Sequence, residues 1–382
     1  MAQFSTSSES LRRIPHLAVR DKFRGCLLGG AVGDALGAPV EFMSLDQILN
    51  RFGPVGITDY AEAFGKVGAI TDDTQLTLFS AEGVLRAYVR ASIKGICDIP
   101  SVIANAYLRW LDTQKPYNPA TLKDSHSWLM RQPELYSLRA PGITCLEALS
   151  IRASGKDGGN NSKGCGGVMR VAPIGMLMAS LALRNPAQNQ SHLNTAFTVG
   201  CESASITHGH PTGILSSGVF SAILYLLLLD ETLNSAIDQT VVILKTQDHH
   251  QETLIAIEKA VQLASKNTPH QIAIKELGEG WVAEEALAIS LFCALTAKDL
   301  ENGIQIAVNH DGDSDSTGSM TGQLLGAILG ESSIPSRWVS KLELRTVIEE
   351  VADDLATAPD WDLDEYSQSK EGAYYWTKYP GG

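Results

Sequence analysis

Two segments near opposite ends of the chain carry a glycine at every fourth position. Gly25, Gly29, Gly33 and Gly37 form one stripe; Gly318, Gly322, Gly326 and Gly330 form the other. A step of four keeps each set on one face of an α-helix. Glycine inside a helix costs about 1 kcal/mol against alanine, so two such stripes need a compensating contact. A face without β-carbons lets another backbone approach closely and adds dispersion contacts turn after turn. The stripes therefore predict a tight helix–helix seam. Such a seam would bring residues near 34–41 beside residues near 311–317.

From Asp21 onward, helical periodicity dominates. Leu76, Phe79, Gly83, Val84 and Ala87 fall at steps of three and four, on one helix face. Ser101 is placed to cap a helix carrying Ile103, Tyr107, Leu108 and Leu111. Further helices are expected at 214–229, 253–265, 282–297 and 318–330. Strict two-residue alternation is short and rare, so the fold is expected to be all-α. The length of 382 residues alone suggests two or three domains. Chemistry drawn from both ends would instead make residues 21–382 one domain. Residues 1–20, Ser-rich and then basic, read as a flexible or loosely docked extension.

Composition narrows the function. Acidic residues number 43 against 30 basic ones, a net charge of −13, which argues against a general nucleic-acid or anionic-membrane surface. An anionic small ligand held by local metal ions stays possible. The six cysteines are scattered without a C-x-x-C pair, as expected of buried thiols in a reducing compartment. The N-terminus has no apolar core of a secretory signal. The apolar run Ile214–Leu229 is short for a membrane span and contains Ser216, Ser217 and Gly218, so a buried helix is expected there. A cytoplasmic location follows as an expectation.

The chemistry-bearing residues fall into clusters. Thr71, Asp72, Asp73 and Thr74 stand immediately before a predicted helix that starts near Gln75. Asp311, Asp313, Ser314, Asp315, Ser316 and Thr317 stand before the second glycine stripe. Asp and Thr also cap helix N-termini, but two clusters with five carboxylates between them need cations to neutralise them if they meet. Oxygen donors without thiolate or imidazole suit Mg²⁺ or Mn²⁺. An EF-hand fails twice: its sixth position is Ser316 instead of glycine, and its twelfth is Gly322 instead of glutamate.

Between the clusters lies Ser162-Lys163-Gly164-Cys165-Gly166-Gly167, followed by a predicted helix. Its glycines would let backbone N–H groups close around a phosphate or ribose oxygen. It matches neither the P-loop nor the dinucleotide-binding fingerprint. Arg170 nearby pairs either with phosphate or with a core carboxylate. His208, in Thr207-His208-Gly209-His210-Pro211, is a candidate substrate contact.

In chain order, 24–42, 68–87, 162–175, 203–211, 280–295 and 309–330 resemble the ADP-ribosylglycohydrolase family, the dinitrogenase-reductase-activating type. The resemblance spans nearly the whole chain beyond residue 20, apart from the tail. It implies a compact orthogonal all-α bundle with two Mg²⁺ (or Mn²⁺) ions in a cleft that binds ADP-ribose. It implies Thr71, Asp72, Asp73, Asp313, Asp315 and Ser316 as metal ligands, with Asp315 bridging, and Glu41 at the metal edge. Ser162, Lys163, Gly164, Cys165, Gly166 and Gly167 match the loop that wraps the diphosphate and ribose, and His208 matches a substrate contact. Three positions depart from the family pattern: Ser316 replaces threonine, Asp311 replaces glycine and adds an acid behind the ligands, and Cys165 replaces asparagine.

The implied activity is removal of ADP-ribose from modified protein side chains, arginine first and serine second. Glu41 and Asp73 are the candidates for acid/base work. An alternative is a protein that engages ADP-ribose or an ADP-ribosylating toxin without turnover; a third is hydrolysis of a small ADP-ribosyl ester or modified nucleic acid. The leaving group is expected to touch variable loops such as 112–140.

Overall fold

The computed structural model describes residues 16–116, 127–156, 159–363 and 369–381. The proposed extension therefore lies outside the described residues as far as residue 15, while residues 16–20 begin the first helix. Part of the 112–140 loop, residues 117–126, also lies outside them. Helices form almost all the regular structure. The strands among the described residues are a two-residue antiparallel pair, Glu62–Ala63 against Lys66–Val67.

At the centre, the helix His16–Gly37 packs against the helix Ser314–Leu329 along the two glycine stripes. The pairing is antiparallel: Gly25 faces Gly326, Gly29 faces Gly322, Gly33 faces Gly318, and Gly37 faces Ser314 and Asp315. A β-carbon on Gly29 would sit 2.4 Å from the Gly322 carbonyl oxygen, and one on Gly33 would sit 2.0 Å from the Gly318 oxygen. Backbone meets backbone, and no side chain larger than hydrogen fits. Because the helices run in opposite directions, the last turn of the first lies beside the first turn of the second.

Other helices wrap this pair. Pro211–Leu228, apolar on every face, is buried along nearly its whole length, which is why its sequence reads like a membrane span. Cys165–Arg184 passes the same length and composition test and is 83% buried inside the fold. The helix Asp72–Lys94 is buried from Asp72 to Ala87 and ends at Gly95, whose φ of +70° suits a left-handed cap.

Two sequence expectations shift. The helix expected near Gln75 begins at Asp72, because the Thr71 hydroxyl accepts the Asp73 N–H at 3.2 Å and caps it. Ser101 does not cap its helix. That helix, Ile99–Thr113, starts earlier because Pro100 is tolerated in a first turn, where no N–H is needed, and the Ser101 hydroxyl bonds the Asp98 carboxylate instead.

Gly33→Ala tests the seam. It should destabilise the protein by at least about 1–3 kcal/mol in denaturant titrations, the range for overpacking a rigid contact. Gly142→Ala, with nothing within 4 Å of the added carbon and φ of −57°, should be nearly neutral.

Candidate active site

Three helix ends converge where the seam closes. The first glycine helix supplies Asp34 from its last turn and Glu41 from the turn that follows. The helix Asp72–Lys94 supplies Asp72 and Asp73 from its first turn, with Thr71 as its cap. The second glycine helix supplies Asp313 as its N-cap and Asp315 and Ser316 from its first turn. All are buried. Glu41, Asp313 and Asp315 each offer an oxygen within 4.8 Å of the others.

Asp34 ties two of these elements together and had no signal of its own in the sequence. Its carboxylate accepts the Thr71 N–H at 3.0 and 3.1 Å, the Thr74 N–H at 3.2 Å and the Thr74 hydroxyl. It thereby satisfies donors at the start of the Asp72–Lys94 helix. Asp72 is held between the Arg139 carbonyl, which accepts its N–H at 3.1 Å, and the Gly142 N–H at 3.4 Å. The Ser316 N–H donates to Asp315 at 3.0 Å.

The electrostatics are severe. Among the described residues, no Lys, Arg or His forms an ion pair with any of these six acids. Burial, then the Asp315 charge, pushes Asp34 up to about 7. Burial, then Asp315 and Asp313, pushes Glu41 up to about 11. Asp72, Asp73, Asp313 and Asp315 are raised as well, with burial the largest cause for each. Among the described residues, the buried oxygens Glu41 Oε2 and Asp73 Oδ2 have no hydrogen-bond partner. Closely spaced, unpartnered oxygen donors fit a hard divalent cation.

The glycine-rich segment lies directly beside this cluster. Cys165 donates its thiol hydrogen to Asp313 Oδ2 at 2.7 Å, and its N–H goes to the Trp281 carbonyl at 3.1 Å. The Lys163 carbonyl accepts the Ala283 N–H at 2.8 Å, while its ammonium group is engaged by Glu252 and Glu284. Ser162 accepts the Gly164 N–H at 3.3 Å and lies 3.2 Å from the Thr144 hydroxyl. His208 sits under the loop: β-carbons on Gly164, Gly166 and Gly167 would each come within 3.2–3.5 Å of its ring. The two sequence-predicted candidates, loop and histidine, are thus one structure.

Two side chains behave differently from the sequence expectation, and two more form a contact it did not anticipate. Asp311 is exposed and accepts the Leu45 N–H at 2.8 Å, so it serves the start of the Leu45–Phe52 helix and not the acidic cluster. Arg170 has no carboxylate partner among the described residues; its Nη2 donates to the Thr207 hydroxyl at 2.7 Å. Phe42 and Trp281, 74% and 38% exposed, stack with centroids 5.8 Å apart beside Glu41 and Cys165. Aromatic residues so far apart in the chain carry no local pattern that would pair them.

Burial, aided by the nearby Arg170 charge, pushes His208 from 6.5 down to about 3. The unfolded chain therefore binds more protons between these values, and stability falls as pH drops below 6.5. By pH 5 the loss from this group should reach about 2 kcal/mol. Denaturant titrations at pH 7 and pH 5 should show a smaller drop for His208→Asn than for the unaltered protein.

The geometry accords with comparisons to known proteins. The chain is 25% identical over 330 residues to ADP-ribosyl-[dinitrogen reductase] glycohydrolase of Rhodospirillum rubrum, covering 86% of this chain and 92% of that one. It is 24% identical over 342 residues to ADP-ribosylarginine hydrolase Tri1 of Pseudomonas putida (strain GB-1), covering 88% and 78%. A solved ADP-ribosylglycohydrolase-related protein complex superposes with a TM-score of 0.62 at 26% identity, covering 88% of this chain and 98% of that one. The ADP-ribosylglycohydrolase family profile matches residues 15–364. With all the acidic, glycine-rich and histidine segments inside that match, the chain belongs to the ADP-ribosylglycohydrolase family of glycohydrolases.

Proposed function

We propose that this glycohydrolase removes ADP-ribose from modified protein side chains, arginine before serine, in a reaction that requires two divalent cations. The observation that carries the reading is the buried acidic cluster with the unpartnered oxygens of Glu41 and Asp73, set against the loop that covers His208. The relative named an ADP-ribosylarginine hydrolase supports arginine as the first choice of leaving group.

Thr71, Asp72, Asp73, Asp313, Asp315 and Ser316 are the residues that would hold the cations, and Asp315, whose charge acts on each of the other acids, would contribute most. When bound, such cations supply positive charge for an anionic ligand and lower the pKa of a bound water. The chain's own groups do the remaining work. Cleavage at the ribose anomeric carbon passes through an oxocarbenium-like state, which needs a proton for the leaving group and an activated water. Glu41 and Asp73 each keep an oxygen without a partner among the described residues, so each has a place to hold or accept that proton. The glycine loop and His208 hold the ligand still, which converts binding into orientation.

Turnover of ADP-ribosyl-arginine, ADP-ribosyl-serine and O-acetyl-ADP-ribose, measured side by side, should be highest for the arginine conjugate. Activity should vanish with chelator and return with Mg²⁺ or Mn²⁺; activity indifferent to chelator would overturn the metal requirement. On equally folded proteins, Ser316→Ala should cost about tenfold and Asp315→Ala at least about 100-fold, since metal-site substitutions commonly cost that much. Equal losses would overturn the larger contribution of Asp315.

A further inference from the structure

Arg170 is fully buried, yet among the described residues it has no carboxylate partner. Its position is fixed all the same. Nη2 donates to the Thr207 hydroxyl at 2.7 Å and to the Ser203 carbonyl at 3.2 Å, and Nη1 reaches the Cys145 sulfur at 3.5 Å. The guanidinium lies 4.1 Å from the Tyr107 ring centroid, and the Tyr107 hydroxyl is held 2.8 Å from that of Ser80 and 2.7 Å from that of Ser203. None of these contacts is with the loop Ser162–Gly167. A charge buried at such cost and kept away from the ligand loop calls for another task.

The Thr207 hydroxyl supplies it. Guanidinium only donates, so the Thr207 oxygen is the acceptor in its bond with Arg170. That same oxygen lies 2.9 Å from His208 Nδ1. With a cation on its far side, the hydroxyl dipole turns its hydrogen away from Arg170; of the two acceptors beside it, the Cys145 sulfur and the imidazole nitrogen, the nitrogen is the stronger and takes the hydrogen. The ring in turn favours a lone pair over an N–H on the side that faces the charge. Both preferences leave Nδ1 as acceptor and put the ring proton on Nε2. Nε2 is the atom nearest the β-carbon that Gly164 lacks, at 3.4 Å, and it has no protein hydrogen-bond partner among the described residues.

We propose that Arg170 is a positioning residue: through the Thr207 hydroxyl it fixes His208 as the tautomer protonated at Nε2, and so presents an N–H to a ligand oxygen held by the Gly164–Gly167 loop. The ligand part of this inference rests on the function proposed above; the tautomer part does not. Glycine at 164 and 166 then has a second use, leaving open the space into which that N–H points.

Nitrogen-15 spectra of the histidine-labelled full chain at pH 7 read the tautomer directly. Unaltered protein should show His208 protonated at Nε2. Thr207→Val, which keeps the shape and removes the relay, should shift the population towards Nδ1, and Thr207→Ser should restore it. Calorimetric titration with ADP-ribose should show affinity weakened about tenfold in Thr207→Val, the loss of roughly one hydrogen bond. Thr207→Ser should remain within about twofold. In turnover, the valine variant should raise KM more than it lowers kcat. A His208 proton on Nδ1 in the unaltered protein, or a valine variant with unchanged tautomer and affinity, would overturn the relay. If the unaltered protein fails to bind ADP-ribose, the functional reading fails, and the spectra still decide the relay.

Discussion

The contact on which the rest of the structure depends is the antiparallel meeting of two bare helix faces. From Gly25 to Gly37 and from Gly318 to Gly326, each stripe glycine removes a β-carbon that would otherwise stand within 2.6 Å of the facing backbone, and the two axes close until main chain touches main chain. The antiparallel sense matters as much as the closeness. It sets the end of one helix against the beginning of the other, so Asp34 and Glu41 arrive beside Asp313 and Asp315. Every acid of the site is placed by a backbone terminus, and none depends on a long flexible side chain for its position.

That placement concentrates like charge where water cannot relieve it. Two helix N-termini, those of Asp72–Lys94 and Ser314–Leu329, point into the cluster, and their partial positive charge offsets some of the repulsion. The offset is small, on the order of 1 kcal/mol per terminus. It falls short of what six buried carboxylates require, as their raised proton affinities register. Asp34 shows the distinction within the group. It spends its lone pairs on Thr71 and Thr74 and has a structural task, whereas Glu41 and Asp73 retain oxygens with no partner among the described residues.

Much of this was legible in the sequence because it is written locally. A four-residue glycine step, clustered Asp and Thr before a helix, and three glycines around Cys165 are patterns within one or two turns. The seam even specified which distant residues would meet. What escaped were roles defined by partners far along the chain. Asp34 looks like an isolated acid in an apolar helix until Thr71 and Thr74 arrive. Asp311 looks like an acid standing behind the ligands until Leu45 takes its oxygen, and Lys163 looks like one more residue of the ligand loop until Glu252 and Glu284 engage its ammonium group. Phe42 and Trp281 meet only because the first glycine helix and the segment before Ala283 both end at the cluster.

The seam also bears on how the molecule comes into being. Gly33 and Gly318 touch across a separation of about three quarters of the chain, and closing so long a loop is slow, although its entropy grows only as the logarithm of length. Partial chains emerging from the ribosome contain Asp34, Asp72 and Asp73 long before Asp313 and Asp315 exist. During that interval the first three acids lack the Asp315 charge, which after burial does most to raise the proton affinity of each in the folded protein. The six-acid site is complete only when the second glycine helix docks, so its full electrostatic strain enters with that one long-range contact.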